Sequence, residues 1–230
     1  MCIASMRVNY NMPYPTPAAV LFDLDGTLLD TAKDLGNALN QVLASCERPT
    51  IPFTQYRNIA SDGAKGMLEL GFGDEIKEYD VSQLRQQFLD YYEQNICVDT
   101  TLFTGVQNVI ESLQECNTPW GIVTNKPGWL TDLLLPHFSA FDKCQIVISG
   151  DTLAQRKPHP LPLIHAAQQL NVDPCTCWYV GDAQRDIEAA NAANMFSVLA
   201  RYGYVETHLP IASWNADLEI STADMLLRHI

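Results

Sequence analysis

Positive charge is scarce in this sequence: 14 Lys and Arg against 27 Asp and Glu leave a formal net charge of −13 over 230 residues. A field of that sign repels nucleic acid and anionic membrane surfaces, which points to a small-molecule partner. An anionic ligand would then need its cations concentrated in one site. Long apolar runs are missing too. No stretch reaches the roughly 18 residues of a membrane span, and "MCIASMRVNYNMPYPTP" lacks the continuous apolar segment of a secretory signal. The seven cysteines are odd in number, contain no C-x-x-C pair, and place only "CTC" at 175–177 in close succession. Neither a disulfide framework nor a zinc site has that pattern, so reduced thiols in a cytoplasmic protein are expected. No internal repeat or low-complexity tract is present. Residues 1–17, rich in Asn, Pro and Tyr toward their end, are expected to form a poorly ordered leader, with Met6 and Met12 as alternative starts.

With 47% hydrophobic residues, the chain can bury the core of one sizeable domain, or of a domain with a substantial insertion. Short apolar runs suggest strands at "AAVLFDL" (18–24), "WGIVTN" (120–125), "QIVIS" (145–149), "CWYVGD" (177–182) and "MFSVLA" (195–200). Their near-continuous apolarity suits parallel strands buried on both faces. Helical patterns at 128–135, 159–171 and 184–193 separate the later strands, which implies an α/β fold with a doubly wound, Rossmann-like parallel sheet. From Thr31 to Thr104 only helical periodicity is visible. Thr31 and Asp34 have capping-box spacing, Leu35, Leu39, Val42 and Leu43 share a face, and Leu84, Phe88, Tyr91 and Tyr92 form a stripe best read as packing. The expected organisation is therefore an α/β core of residues 18–30 and 105–230, with an all-helical cap of residues 31–104 inserted after the first strand.

Ligands of such sheets bind beyond the carboxyl ends of the strands, and polar residues collect there. "LFDLDGT" places Asp23 and Asp25 on one side of the chain, followed by Gly26 and the Thr27 hydroxyl. An ionised Asp can attack phosphorus while a second carboxylate carries a proton; an Asp-Gly turn serving only the backbone is the alternative. Two carboxylates this close repel unless something positive sits between them. "VTNK" ends the second strand with Thr124, Asn125 and Lys126, where a hydroxyl and a free backbone N–H make a reasonable phosphate cradle, or Thr124 a helix cap. In "RKPHP", Lys157 is stiffened by the prolines and can neutralise a phosphoryl oxygen, or can be a solvated surface lysine; His159 reads as a helix-start residue. "GDAQRD" places Asp182 and Asp186 one helical turn apart, which suits a hard cation such as Mg2+ or a helix-capping role.

Together, "DLDGT", Thr124, Lys157 and "GDAQRD" resemble the haloacid dehalogenase superfamily, specifically its phosphatases with a helical cap inserted after the first motif. The resemblance covers the chain from Ala18 onward. It implies Asp23 as a nucleophile that becomes an aspartyl-phosphate, and Asp25 as general acid and then base. Thr124, Asn125 and Lys157 would bind the phosphoryl group. Mg2+ would be held by Asp23, the Asp25 backbone carbonyl and Asp182, with Asp186 in support. The second aspartate separates the chain from the superfamily's dehalogenases, which lack it, and from its P-type ATPases, which carry threonine there. A phosphatase ranks first, with a phosphomutase or a non-catalytic binding protein as alternatives. Substrate choice is expected in the cap, at "ASDGAKGML", where Gly63 and Lys65 could face an anionic leaving group; a helix start with a solvated lysine is the competing reading. This segment is similar to that of phosphoglycolate phosphatases. With "RYGY" (201–204) and "SWNAD" (213–217), the whole pattern looks still closer to N-acetylmuramic acid 6-phosphate phosphatases. Either substrate carries a carboxylate suited to Lys65 or Arg201. Oligomeric state is not legible.

Overall fold

The computed structural model describes residues 14–205 and 210–230; most of the expected leader, residues 1–13, lies outside them. Tyr14, within the expected leader, is packed, its ring 5.3 Å from that of Phe196 and 5.4 Å from that of His229.

Strand β1 (Ala19–Phe22) is buried at every position, and the short strand β2 (Leu29–Asp30) follows it after one loop. Helices α1 (Ala32–Ser45), α2 (Phe53–Tyr56), α3 (Gly63–Phe72) and α4 (Val81–Gln94) come next, with 3-10 turns between them. The chain returns through β3 (Thr101–Leu102), which pairs antiparallel with β2, Leu29 opposite Leu102 and Asp30 opposite Thr101. The remaining elements are α5 (Val106–Glu115), β4 (Trp120–Val123), α6 (Gly128–Leu134), β5 (Val147–Ile148), α7 (Leu161–Gln169), β6 (Cys177–Gly181), α8 (Gln184–Ala192), β7 (Phe196–Ala200) and β8 (Leu218–Ile220).

Six strands form one parallel sheet in the order β5-β4-β1-β6-β7-β8. Alternate residues of β1 serve opposite faces. Val20 and Phe22 pack with Trp120, Trp178 and α5, while Ala19 and Leu21 pack with Tyr179, α7 and α8. Burial on both faces is what the continuous apolar runs require. β1 lies between β4 and β6, which places its exit beside theirs.

The five expected strands are present, with β5 trimmed to two residues. β8, α5 and the β2–β3 ribbon were not anticipated: the strands are two or three residues long, too short for a periodicity to register. The helical segment has its own apolar core of Leu35, Leu39, Leu43, Met67, Phe72, Phe88 and Tyr92, joined by Leu130 and Tyr204 from outside it. The Thr31–Asp34 capping box does not form. Thr31 makes no side-chain cap to α1; its hydroxyl donates to Asp25 instead, at 2.7 Å. Asp34 accepts from the backbone N–H groups of Val98, Asp99 and Thr100 and from the Thr100 hydroxyl, tying the returning chain to α1. No described helix is long and apolar enough to cross a membrane.

Candidate active site

Buried polar residues stand at four strand ends, and those of three meet in one cluster, while the Thr124 hydroxyl accepts from the Lys126 N–H at 3.2 Å. Asp23 follows β1, Thr124 follows β4, Lys157 precedes α7, and Asp182 and Asp186 flank the start of α8. Lys157 is fully buried, with Nζ 2.8 Å from Asp23 Oδ1 and 2.8 Å from Asp186 Oδ1. Its ammonium also donates to the Tyr179 hydroxyl at 2.7 Å, and that hydroxyl donates to the Val123 carbonyl. Asn125 explains how Lys157 is aimed. Its Nδ2 donates to the Lys157 carbonyl at 2.9 Å and its Oδ1 accepts from the Lys157 N–H at 3.1 Å, so both ends of the amide hold the lysine's backbone.

Carboxylate oxygens of Asp23, Asp182 and Asp186 lie within 4.8 Å of one another, and all three residues are buried. Burial pushes the Asp23 carboxyl up to about 6 in spite of Lys157. Asp182, which has no cation of its own, is pushed up to about 7 by burial and then by Asp186 and Asp23. Asp186 also loses solvation, but Lys157 and Arg185 outweigh that and hold it below the ordinary range. Three anions packed together against so little positive charge are unfavourable as they stand. Asp186 Oδ1, although 2.8 Å from Lys157 Nζ, accepts no aligned hydrogen bond. An all-oxygen donor set with a buried, incompletely satisfied acceptor fits a hard divalent cation. Gly26, at φ +86°, allows the close approach: a Cβ there would stand 2.1 Å from Asp182 Oδ2.

Asp25 belongs to a separate pair. Its Oδ1 accepts from Thr31 and lies 3.1 Å from Lys126 Nζ, whose ammonium also donates to the Tyr92 hydroxyl of α4 at 2.8 Å. The two aspartates of the loop thus have different cations, Lys157 for Asp23 and Lys126 for Asp25.

The expected cap residues are not brought to the cluster. Lys65 is 82% exposed and its ion-pair partner is Glu69, one turn along α3, while the space beside Gly63 is open. Arg201 pairs with Glu219 at 3.1 Å, also near solvent. Of that stretch, Ser61 reaches the carboxylates and Asp62 reaches Arg185. Ser61 Oγ donates to both oxygens of Asp182, and Asp62 accepts from Arg185, which also donates to the Ser61 carbonyl. They line a cleft of about 460 Å³ between the helical segment and α8, with Asp182 in its wall.

A family model described as haloacid dehalogenase-like hydrolase matches residues 20–200. The chain belongs to the haloacid dehalogenase-like hydrolases. It is 42% identical over 210 residues to a phosphoglycolate phosphatase of Xanthomonas campestris pv. campestris, covering 91% of this chain and 95% of the relative. An N-acetylmuramic acid 6-phosphate phosphatase of Pseudomonas aeruginosa is 33% identical over 200 residues, covering 87% and 88%. The crystal structure of a predicted phosphoglycolate phosphatase from Haemophilus somnus superposes with a TM-score of 0.83 at 27% identity, over 92% of this chain and 96% of that one. The chain is a phosphoglycolate phosphatase-like enzyme of this hydrolase family.

Within the hydrolase, "RYGY" turns out to be a joint between sheet and helical segment. The Tyr204 hydroxyl accepts from the N–H groups of Thr31 and Ala32, at 2.7 and 2.9 Å, and donates to Asp30. Tyr202 donates to the Thr27 carbonyl, the Tyr204 N–H donates to Asp182, and the carbonyls of Tyr202 and Gly203 accept from Arg57. Lys126, Tyr92, Ser61, Arg185 and Tyr204 were all missed as site residues. Lys126 in "VTNK", Ser61 in "ASDGAKGML", Arg185 in "GDAQRD" and Tyr204 in "RYGY" all lay inside stretches that stood out in the sequence, whereas Tyr92 read as packing.

Proposed function

We propose that this enzyme is a Mg2+-dependent phosphomonoesterase that acts through an aspartyl-phosphate on a small carboxylated phosphate ester, and that residues 31–104 serve as the cap over its site. The observation that carries the reading is the loop with two aspartates, each held by a different lysine. One is packed against further carboxylates and the other stands apart, so the pair can divide nucleophile and proton carrier between them.

Asp23 attacks phosphorus, forming an Oδ–P bond as the ester P–O bond breaks. The departing oxygen takes a proton from Asp25. Water then attacks the aspartyl-phosphate, yielding its proton to Asp25 and restoring Asp23. Lys157 and the Thr124 hydroxyl bind the phosphoryl oxygens, while Asn125 fixes the Lys157 backbone. Asp23, Asp182, Asp186 and the Asp25 carbonyl are the groups that would hold Mg2+, which supplies charge neutralisation for phosphoryl transfer. Tyr92 and Ser61, both from the helical segment, contact Lys126 and Asp182, which supports a cap that completes the site. The described cysteines, Cys46, Cys97, Cys116, Cys144, Cys175 and Cys177, are all free thiols, in keeping with a reducing cytoplasm.

2-Phosphoglycolate is the first candidate substrate, from the 42% identical relatives; N-acetylmuramic acid 6-phosphate is the second, from the 33% identical one. Phosphate release should require Mg2+ and vanish in Asp23→Asn with the circular dichroism spectrum unchanged. Mg2+-dependent turnover retained by that variant would refute the assignment.

A further inference from the structure

Resting on the phosphatase reading above, we propose that Lys126, together with the Tyr92 hydroxyl, receives the carboxylate of the leaving group. This makes the enzyme selective for esters whose carboxylate lies within two or three bonds of the ester oxygen.

The reaction itself directs attention to this spot. The departing oxygen must touch Asp25, so the atoms bonded to it extend toward whatever surrounds Asp25. That neighbour is an ammonium: Lys126 Nζ stands 3.1 and 3.4 Å from the two Asp25 oxygens, with its side chain only 4% exposed. The Tyr92 hydroxyl is 2.8 Å from it, and the ammonium lies 4.5 Å from the centre of the Tyr92 ring. An ammonium has three donors; with one shared between the two Asp25 oxygens, the farther at 3.4 Å, and one given to Tyr92, the third is left for a ligand. Asp25 does not depend on Lys126 alone, because Thr31 Oγ1 already donates to it at 2.7 Å.

Several other cations around the site are committed elsewhere, and Arg85 and Arg156 line a cleft of about 450 Å³ with Asn125, with no contact to Asp25 among the described residues. Lys157 serves Asp23 and Asp186, Arg185 serves Asp62 and the Ser61 carbonyl, and Arg57 serves the carbonyls of Tyr202 and Gly203. Lys65 and Arg201 face Glu69 and Glu219 near solvent. Among the described residues, Lys126 is the cation beside the proton carrier. Desolvation strengthens its attraction for a second carboxylate, and removing one would leave the buried charge poorly matched.

Reach decides between the two candidate substrates. In 2-phosphoglycolate the carboxylate carbon is two bonds from the ester oxygen, so one group can span Asp25 and Lys126. In N-acetylmuramic acid 6-phosphate the lactyl carboxylate hangs from O3, about seven bonds from the ester oxygen, well beyond the two or three bonds that this proposal allows between Asp25 and Lys126. Because Tyr92 comes from α4, the receptor is complete only when the helical segment is seated.

The test compares kcat/KM for 2-phosphoglycolate with that for 2-hydroxyethyl phosphate, which replaces the carboxylate by an alcohol of the same length. Wild-type enzyme should strongly favour the carboxylate. In Lys126→Met the ratio should fall by about 10- to 100-fold, the worth of one charge-assisted hydrogen bond, and Lys126→Arg should restore part of it. Tyr92→Phe should lower the same ratio to a smaller extent, which keeps the test valid should the methionine variant fail to fold. A uniform loss on both alkyl esters with the ratio intact would mean that Lys126 only positions Asp25, and the proposal would fall. Wild-type turnover without preference for the carboxylate would overturn this proposal and leave the phosphatase reading standing. Absence of turnover on every ester would overturn both.

Discussion

Replacing Tyr204 by phenylalanine removes one oxygen and leaves the ring, so the Arg57 guanidinium keeps its place 5.2 Å from the ring centre and Phe103 its contact at 6.1 Å. What is lost is the hydroxyl that accepts from Thr31 N–H and Ala32 N–H and donates to Asp30. Ala32 retains a long fallback to Asp30 Oδ1 at 3.4 Å; no other acceptor is in place for the Thr31 N–H. A buried donor left unsatisfied costs about 1–3 kcal/mol, and the remaining bonds about 1 kcal/mol in sum. The expected loss is therefore about 2–4 kcal/mol, or about 5–15 °C in melting temperature for a chain of this length. Urea unfolding gives the free energy, and native-state hydrogen exchange locates it, because the Thr31 and Ala32 amides should exchange faster than those of β1. A loss below about 0.5 kcal/mol, the level of an ordinary surface change, would refute the role assigned to this hydroxyl.

Two further outcomes follow from the carboxylate cluster. Asp182 and Asp23, raised to about 7 and about 6 from an ordinary value of 3.8, bind protons more tightly folded than unfolded. Stability of the metal-free protein should therefore fall as pH rises from about 4 to 8, whereas Mg2+ binds the ionised forms; scanning fluorimetry should show a larger Mg2+-induced rise in melting temperature at pH 8 than at pH 5.5, and an equal rise at both would contradict the cluster's electrostatics. Gly26→Ala puts a Cβ 2.1 Å from Asp182 Oδ2 at a φ of +86°, so it should cost about 1–3 kcal/mol in urea unfolding and weaken Mg2+ binding in calorimetry. Wild-type Mg2+ affinity in that variant would show that the Gly26 backbone does not shape the site.

The strand-end chemistry was legible because parallel strands advertise themselves by continuous apolarity and their polar exits stand out against it. Asp23, Asp182, Asp186 and Lys157 converge as their positions at successive strand ends imply. Residues that act across the fold were not legible. Tyr92 and Lys126 are 34 residues apart and Tyr204 is 173 from Thr31, so no local spacing encodes either contact. Thr31 and Asp34 show the opposite error, since their spacing matched a local motif while both side chains were engaged at longer range. Lys65 had a sign that was passed over, an acidic residue at i+4 that keeps its ammonium on the outer face of α3.

The β2–β3 ribbon bears on descent. Leu29 sits opposite Leu102 and Asp30 opposite Thr101, so the chain leaves the sheet domain and re-enters it at one place. Everything between those residues could be cut out and the ends rejoined by a tight turn without shifting the register of any strand in the sheet. The helical segment is in that sense a cassette, and the same hydrolytic core could accept a different one, with a different substrate, through a single exchange of sequence at the ribbon.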